Sequence, residues 1–116
     1  MTVLRFEDLK MWQKSQDLTV SIYSEFTGLK DYGFKDQITR ASVSISNNIA
    51  EGFERQSNAD FKRFLHFALA SNSEVRSMLY LSERLNYLDK AKSLELIERT
   101  NEVSKMIYAF IKSMRQ

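Results

Sequence analysis

Apolar residues along this chain return every three or four positions, over stretches long enough to read as helices. In the first stretch Leu9, Trp12, Thr19, Ile22, Tyr23 and Phe26 keep that spacing, which predicts an amphipathic helix over Glu7–Thr27. Gly28 follows where a left-handed helix end is expected, and GLKDYG supplies a turn. The second stretch carries Phe34, Ile38, Ala41, Ser42, Ile45, Ile49, Gly52 and Phe53 on one face and runs to Arg55. In the third, Ser57 precedes Asp60 as in a capping box, and Phe61, Phe64, Leu65, Ala68, Asn72, Val75, Leu79 and Ser82 hold the stripe to Leu85. NYLDKAKS reads as the next turn, and Leu94, Ile97, Val103, Ile107, Phe110, Ile111 and Met114 mark the last helix. Four helices joined by short links predict an all-α fold, an antiparallel up-down-up-down four-helix bundle formed by residues 1–116 as one domain.

One part of this pattern is unusual. The stretch ASVSISNNIAEGF sets Ser42, Ser44, Ser46, Asn47, Asn48 and Gly52 inside the second helix, and these residue types favour other conformations. Advancing about 100° per residue from Ile38 places Ala41, Ile45, Ile49 and Gly52 toward the core. Arg40, Ser44, Asn47, Asn48, Glu51 and Arg55 gather on one flank. The small residues Ala41, Ser42 and Gly52 would let a neighbouring helix approach closely. The third helix has a matching polar group at Ser71, Asn72, Ser73, Glu74 and Arg76, and antiparallel packing brings positions near 48 close to positions near 70. Two arrangements fit. One is a hydrogen-bonded polar layer between helices, with Arg40, Asn48, Glu51 and Glu74 as members. The other is a solvated flank carrying ordinary pairs four residues apart.

The core stripes do not use all the apolar residues. Val20, Val43, Phe67, Leu69, Met78, Tyr80 and Leu81 fall beside or opposite them, and one bundle needs only one stripe per helix. Covering them with another copy of the chain predicts self-association, with Val43, Phe67 and Leu69 at the interface.

Composition narrows the chemistry. The 116 residues include no Cys and no Pro, and only three Gly. Disulfides and thiolate metal sites are therefore excluded, which suits a reducing cytoplasm, and a β-rich fold is disfavoured. No apolar run approaches the roughly 20 residues that cross a bilayer. The opening MTVLRFEDLK has a charge by position 5 and no apolar leader core, so no secretory signal is expected. The net charge of +2 is mild, but basic residues recur at Arg40, Arg55, Lys62, Arg63, Lys105, Lys112 and Arg115, which makes them the candidates for contact with RNA or DNA. Acidic Glu51, Glu54 and Asp60 lie among them. Lys105, Lys112 and Arg115, which follow Glu102 with no further acid, also suit a helix C-terminus. His66 is the one histidine, with no Glu-x-x-His pair, so no metal site is expected. EGFER lacks the glycines of a phosphate loop, and Asn47, Asn48 and Glu51 form no nucleophile–base arrangement; no cofactor and no catalytic centre are expected.

FEDLKMWQKSQDL, followed by NIAEGF and then a Ser-x-x-x-Phe-x-x-Phe-Leu-x-x-Ala run from Ser57, resembles the bacterial four-helix-bundle family of 23S ribosomal RNA intervening sequences. The resemblance spans nearly the whole chain. The sequence departs from that family at Ser46, Glu54 and Ala70–Ser71, where Pro, Gly and Gly-Ser are usual, which bears on helix spacing rather than on the fold. The resemblance implies a small non-enzymatic cytoplasmic bundle that forms ring-like homopentamers. It also implies that the polar run sets helix register or subunit contact. The chain is similar as well to accessory proteins of diversity-generating retroelements, whose pentamers bind a reverse transcriptase and nucleic acid. Two functions are therefore expected as alternatives: a homo-oligomeric module that binds RNA or DNA, or a scaffold whose partner is a protein, such as a nucleic-acid-processing one.

Overall fold

The computed structural model describes residues 3–114. A short 3-10 turn at Phe6–Asp8 leads into α1 (Lys10–Phe26), α2 (Tyr32–Phe53), α3 (Asn58–Arg84) and α4 (Lys90–Ser113), with no strand among the described residues. The body measures 45 × 22 × 20 Å, close to the length of α3 at about 1.5 Å per residue.

Hydrogen bonds between helices fix their directions. Thr19 reaches the Ser42 carbonyl and Gln16 reaches Ser46, which sets α1 antiparallel to α2. Ser71 donates to Ser44, and Gln37 donates to Glu74. Arg76 meets Asn101 while Asn72 meets Ser104, and Arg99 meets Ser21. Each helix thus runs against its two neighbours, as an up-down-up-down bundle requires. We call the end where α1 turns into α2 and α3 into α4 the upper end. At the lower end α2 turns into α3, α1 begins and α4 finishes.

The predicted stripes form the core. Leu18, Ile22, Ile38, Ile45, Ile49, Leu65, Leu79, Leu96 and Ile107 are all fully buried. Boundaries differ from expectation in three places. The chain enters α1 through the 3-10 turn, so the α-helix starts at Lys10 rather than Glu7. Gly28 is not left-handed; Leu29 instead donates back to the Phe26 carbonyl in a tight turn. The left-handed residue is Asn86, with φ 61°. There the amide of Tyr87 returns to the Ser82 carbonyl and that of Asn86 to the Glu83 carbonyl, a Schellman ending for α3. Finally, α4 begins within the stretch read as a turn, because the Asp89 carboxylate accepts the Lys92 amide at 2.8 Å and caps the helix. The Ser57 cap stands as expected, accepting the Asp60 amide at 3.1 Å.

Candidate functional site: the outer faces of the bundle

The polar run of α2 divides between its two neighbours. Ser42 and Ser46 are buried toward α1, where Thr19 Oγ1 donates to the Ser42 carbonyl at 2.9 Å and Gln16 Nε2 to Ser46 Oγ at 3.0 Å. Ser44 turns toward α3 and accepts from Ser71 at 3.1 Å. Small side chains bring the helices together, and hydroxyls satisfied by backbone carbonyls make their burial tolerable. Gly52 takes this furthest: a Cβ there would lie 2.7 Å from Phe64 Cβ and 3.3 Å from the Phe61 carbonyl oxygen.

The network expected from Arg40, Asn48, Glu51 and Glu74 does not assemble. Arg40 pairs with Asp36 at 2.9 Å with 79 % of its side chain in solvent. Glu74 is exposed and accepts from Gln37 at 3.2 Å. Asn48 donates to the carbonyl and hydroxyl of Ser44, on its own helix, and Glu51 is exposed. Long charged side chains on a helix flank reach water, and water competes for them. The buried polar contact lies elsewhere. Asn72 Nδ2 donates to the Thr100 carbonyl at 2.7 Å and to Ser104 Oγ at 2.8 Å, while its Oδ1 has no protein partner. An Asn inside an apolar stripe was the sequence signal for it.

The predicted basic residues separate into two groups. Arg55 and Arg63 both turn to Asp60, at 3.9 and 3.0 Å, and stack over Phe64 with guanidinium carbons 4.5 and 4.9 Å from the ring centre. Arg63 also lies over Phe67. With Arg40 on Asp36, these arginines are already engaged. Lys62, Lys105 and Lys112 have no acidic partner among the described residues. Arg115 lies outside the described residues. Register puts the three lysines on one face. The Arg76–Asn101 contact marks the outer seam of α3 and α4. Lys62 stands two heptads before Arg76, and Lys105 and Lys112 follow Asn101 by four and eleven positions, all steps that keep the same side. Exposed His66 belongs to the same stretch of α3.

Of the expected interface residues, Phe67 is 44 % exposed and Val43 is half-buried, but Leu69 is buried in the core at 6 % exposure, and so is Met78. The stripe of α3 is broader than its periodicity suggests, because α3 is covered by α2 on one flank and α4 on the other. Large exposed apolar side chains lie at both ends: Tyr23, Tyr32, Tyr80, Leu81, Leu85 and Leu94 toward the upper end, and Leu4, Phe67 and Tyr108 toward the lower.

Two contacts between titrating groups hold the upper end together. Tyr87 Oη donates to Asp31 Oδ2 at 2.6 Å and the Phe34 amide donates to Asp31 Oδ1, which together hold the Asp31 carboxyl below its ordinary range. The same bond pushes the Tyr87 hydroxyl up. Glu95, with Glu25 beside it, holds the Lys92 ammonium above its usual value. No three His, Cys, Asp or Glu side chains stand together as a metal site would need, among the described residues. Among the described residues no helix is long and apolar enough to cross a membrane.

Residues 7–109 match the family described as 23S rRNA-intervening sequence protein, which covers most of the chain and both halves of the polar α2–α3 contact. The chain belongs to that family. A solved structure from Bacteroides thetaiotaomicron, described as a protein with unknown function from the S23 ribosomal protein family, superposes with a TM-score of 0.83 at 29 % identity. The match covers 89 % of this chain and 99 % of that one. No curated protein matches the chain. The range matched to the 23S rRNA-intervening sequence family takes in parts of all four helices and the NIAEGF stretch at the α2–α3 contact.

Proposed function

We propose that the chain is a non-enzymatic scaffold that works as a homo-oligomer, in the ring-like pentameric form that the family resemblance implies, within the cytoplasm. The observation that carries this reading is the set of bulky apolar side chains left outside a core that is already complete. Tyr23, Tyr32, Tyr80 and Leu94 are 50, 68, 53 and 48 % exposed. Side chains of this kind are favoured where one partner surface leaves water against another. The serines of the α2 run are meanwhile engaged within and between helices, which supports a structural use for that run. Light scattering on the purified protein tests the reading. A mass several times the 13.6 kDa of one chain is expected, and a single-chain mass at micromolar concentration overturns it.

A second reading is favoured by the lysines. Lys62, Lys105 and Lys112 share one seam and form no ion pair among the described residues, so a symmetric oligomer would present several copies of a weak phosphate-binding strip. Reversing all three to Glu is expected to abolish retention of RNA or DNA while leaving the oligomer's mass unchanged. Unchanged retention removes this reading and leaves a scaffold for proteins.

A further inference from the structure

The lower half of the outer α3/α4 seam is free of acidic side chains on both helices. No Asp or Glu occurs between Asp60 and Glu74 on α3, and none follows Glu102 on α4. Asn72 meets Ser104 and Phe61 packs on Phe110, so antiparallel packing lays these two stretches side by side. From Glu102 to Met114 the strip is about 18 Å long, at about 1.5 Å per residue. The acids at its borders are turned away or already engaged. Asp60 is taken up by Arg55 and Arg63, and Glu74 faces α2, where it accepts from Gln37. Glu98 stands a heptad above Lys105. Glu102 stands one turn above it and about 60° further round the helix, toward solvent.

Within this strip a ring stands between the charges. Tyr108 follows Asn101, which meets Arg76 at 2.9 Å, by one heptad and therefore stays on the seam. Lys105 precedes it by three positions and Lys112 follows it by four, so one ammonium lies a turn above the ring and one a turn below. Lys62, next to Phe61, is level with the Phe110–Lys112 turn of α4. Tyr108 is 58 % exposed, and Lys105 and Lys112 are exposed beside it. None of the three lysines forms an ion pair among the described residues.

A tyrosine held in water between two lysines suits a ligand that combines a flat apolar face with negative charge on either side. The bases and phosphates of a nucleic-acid strand offer that combination, and they offer it only when the strand is single. In a duplex the base faces are stacked inside, and phosphates alone remain for the lysines. An acidic protein segment would likewise meet the lysines without a use for the ring.

We propose that the lower α3/α4 seam binds single-stranded nucleic acid, with a base stacked on Tyr108 and the adjoining phosphates held by Lys105 and Lys112. This rests on the second reading above, the phosphate-binding strip, and adds to it the class of strand and the residue that selects it. Lys62 extends the phosphate contact across the seam. The lysines supply attraction that falls with salt, and the ring supplies a preference that does not.

The test is fluorescence anisotropy with a labelled 12-nucleotide oligouridine and with an RNA duplex of 12 base pairs, each over a range of salt concentrations. The wild-type protein is expected to bind the single strand at least tenfold more tightly than the duplex. Tyr108→Ala is expected to weaken binding of the single strand about tenfold, leaving duplex binding and the salt dependence unchanged. Tyr108→Phe keeps the ring and is expected to bind like the wild type. Lys105→Gln is expected instead to lower the slope of log affinity against log salt by about 0.7. Circular dichroism and light scattering check that each variant keeps wild-type helicity and mass. If neither nucleic acid binds, the phosphate-strip reading itself fails. If the duplex binds as tightly as the single strand, or Tyr108→Ala has no effect, only the single-strand proposal fails. A changed mass for Tyr108→Ala would place the ring between copies and overturn the proposal, as would displacement of oligouridine by polyglutamate as readily as by unlabelled oligouridine.

Discussion

At the upper end of the bundle Phe34 packs on Phe26 and Tyr87, and at the lower end Phe61 packs on Phe53 and Phe110, with ring centres 5.2–5.9 Å apart throughout. The interiors of the two ends are alike, but their surfaces differ. Above, Asp31 is bound by Tyr87, and Lys92 sits between Glu25 and Glu95. Below, two arginines are tied to Asp60 and stacked on rings, while Lys62, Lys105 and Lys112 form no ion pair among the described residues. The two ends thus share their interior packing and differ in the polar contacts that close them: a Tyr–carboxylate bond and a lysine between two glutamates above, stacked arginines on one aspartate below.

The comparison can be broken most forcefully inside the bundle. Phe34 and Phe61 are each 8 % exposed and each joins two other rings. Truncation of a buried Phe to Ala costs about 3–5 kcal/mol. Phe34→Ala and Phe61→Ala are therefore expected to destabilise the fold by similar amounts in urea titrations. A gap of more than about 2 kcal/mol between them, on that scale, would show that the ends are not equivalent in packing and would overturn the first half of the comparison.

A smaller effect sharpens the lower end. Gly52→Ala would put a methyl group 2.7 Å from Phe64 Cβ, which cannot move without shifting α3. Overpacking of this kind costs about 1–3 kcal/mol, against about 1 kcal/mol of helix propensity that Ala returns. Net destabilisation is expected in the same titration. Gly33→Ala, whose nearest atom would be a side-chain oxygen of Asp31 at 3.8 Å, serves as the upper-end control and is expected to be neutral or stabilising.

These residues also mark how far the sequence could be read. Periodicity located all four helices, and the small residues of α2 foretold the close approach at Gly52, because both depend on one helix at a time. The turns were harder. Gly28 and Asn86 each tolerate left-handed backbone, and only the path of the chain decided that Asn86 uses it. Asp89 looked like part of a turn because a helix cap resembles one until its carboxylate is seen to accept the Lys92 amide. Leu69 and Met78 were assigned outward because a wheel gives a residue's direction but not how much of the helix its neighbours cover. The outer faces were the least legible part. Each is assembled from two helices, so its members become neighbours only once the register between those helices is known.

The gentlest probe concerns the staple at the upper end. Tyr87→Phe keeps the ring against Phe34 but removes the hydroxyl that Asp31 accepts. That hydrogen bond favours ionised Asp31, whose pKa in the folded protein lies below its ordinary value of 3.8. Its stabilising effect is therefore complete above that value and lost as pH falls through the lower, folded pKa. The same bond raises the Tyr87 pKa, so the contribution is also lost at the alkaline extreme, as pH rises past 10.0 and through the folded value. The melting temperature of Tyr87→Phe is expected to lie slightly below that of the wild type at pH 7, with the gap closing in strong acid. A gap that stays constant from pH 7 into strong acid would mean that the hydroxyl acts through packing. The upper end would then be held by its rings alone, in the same way as the lower one.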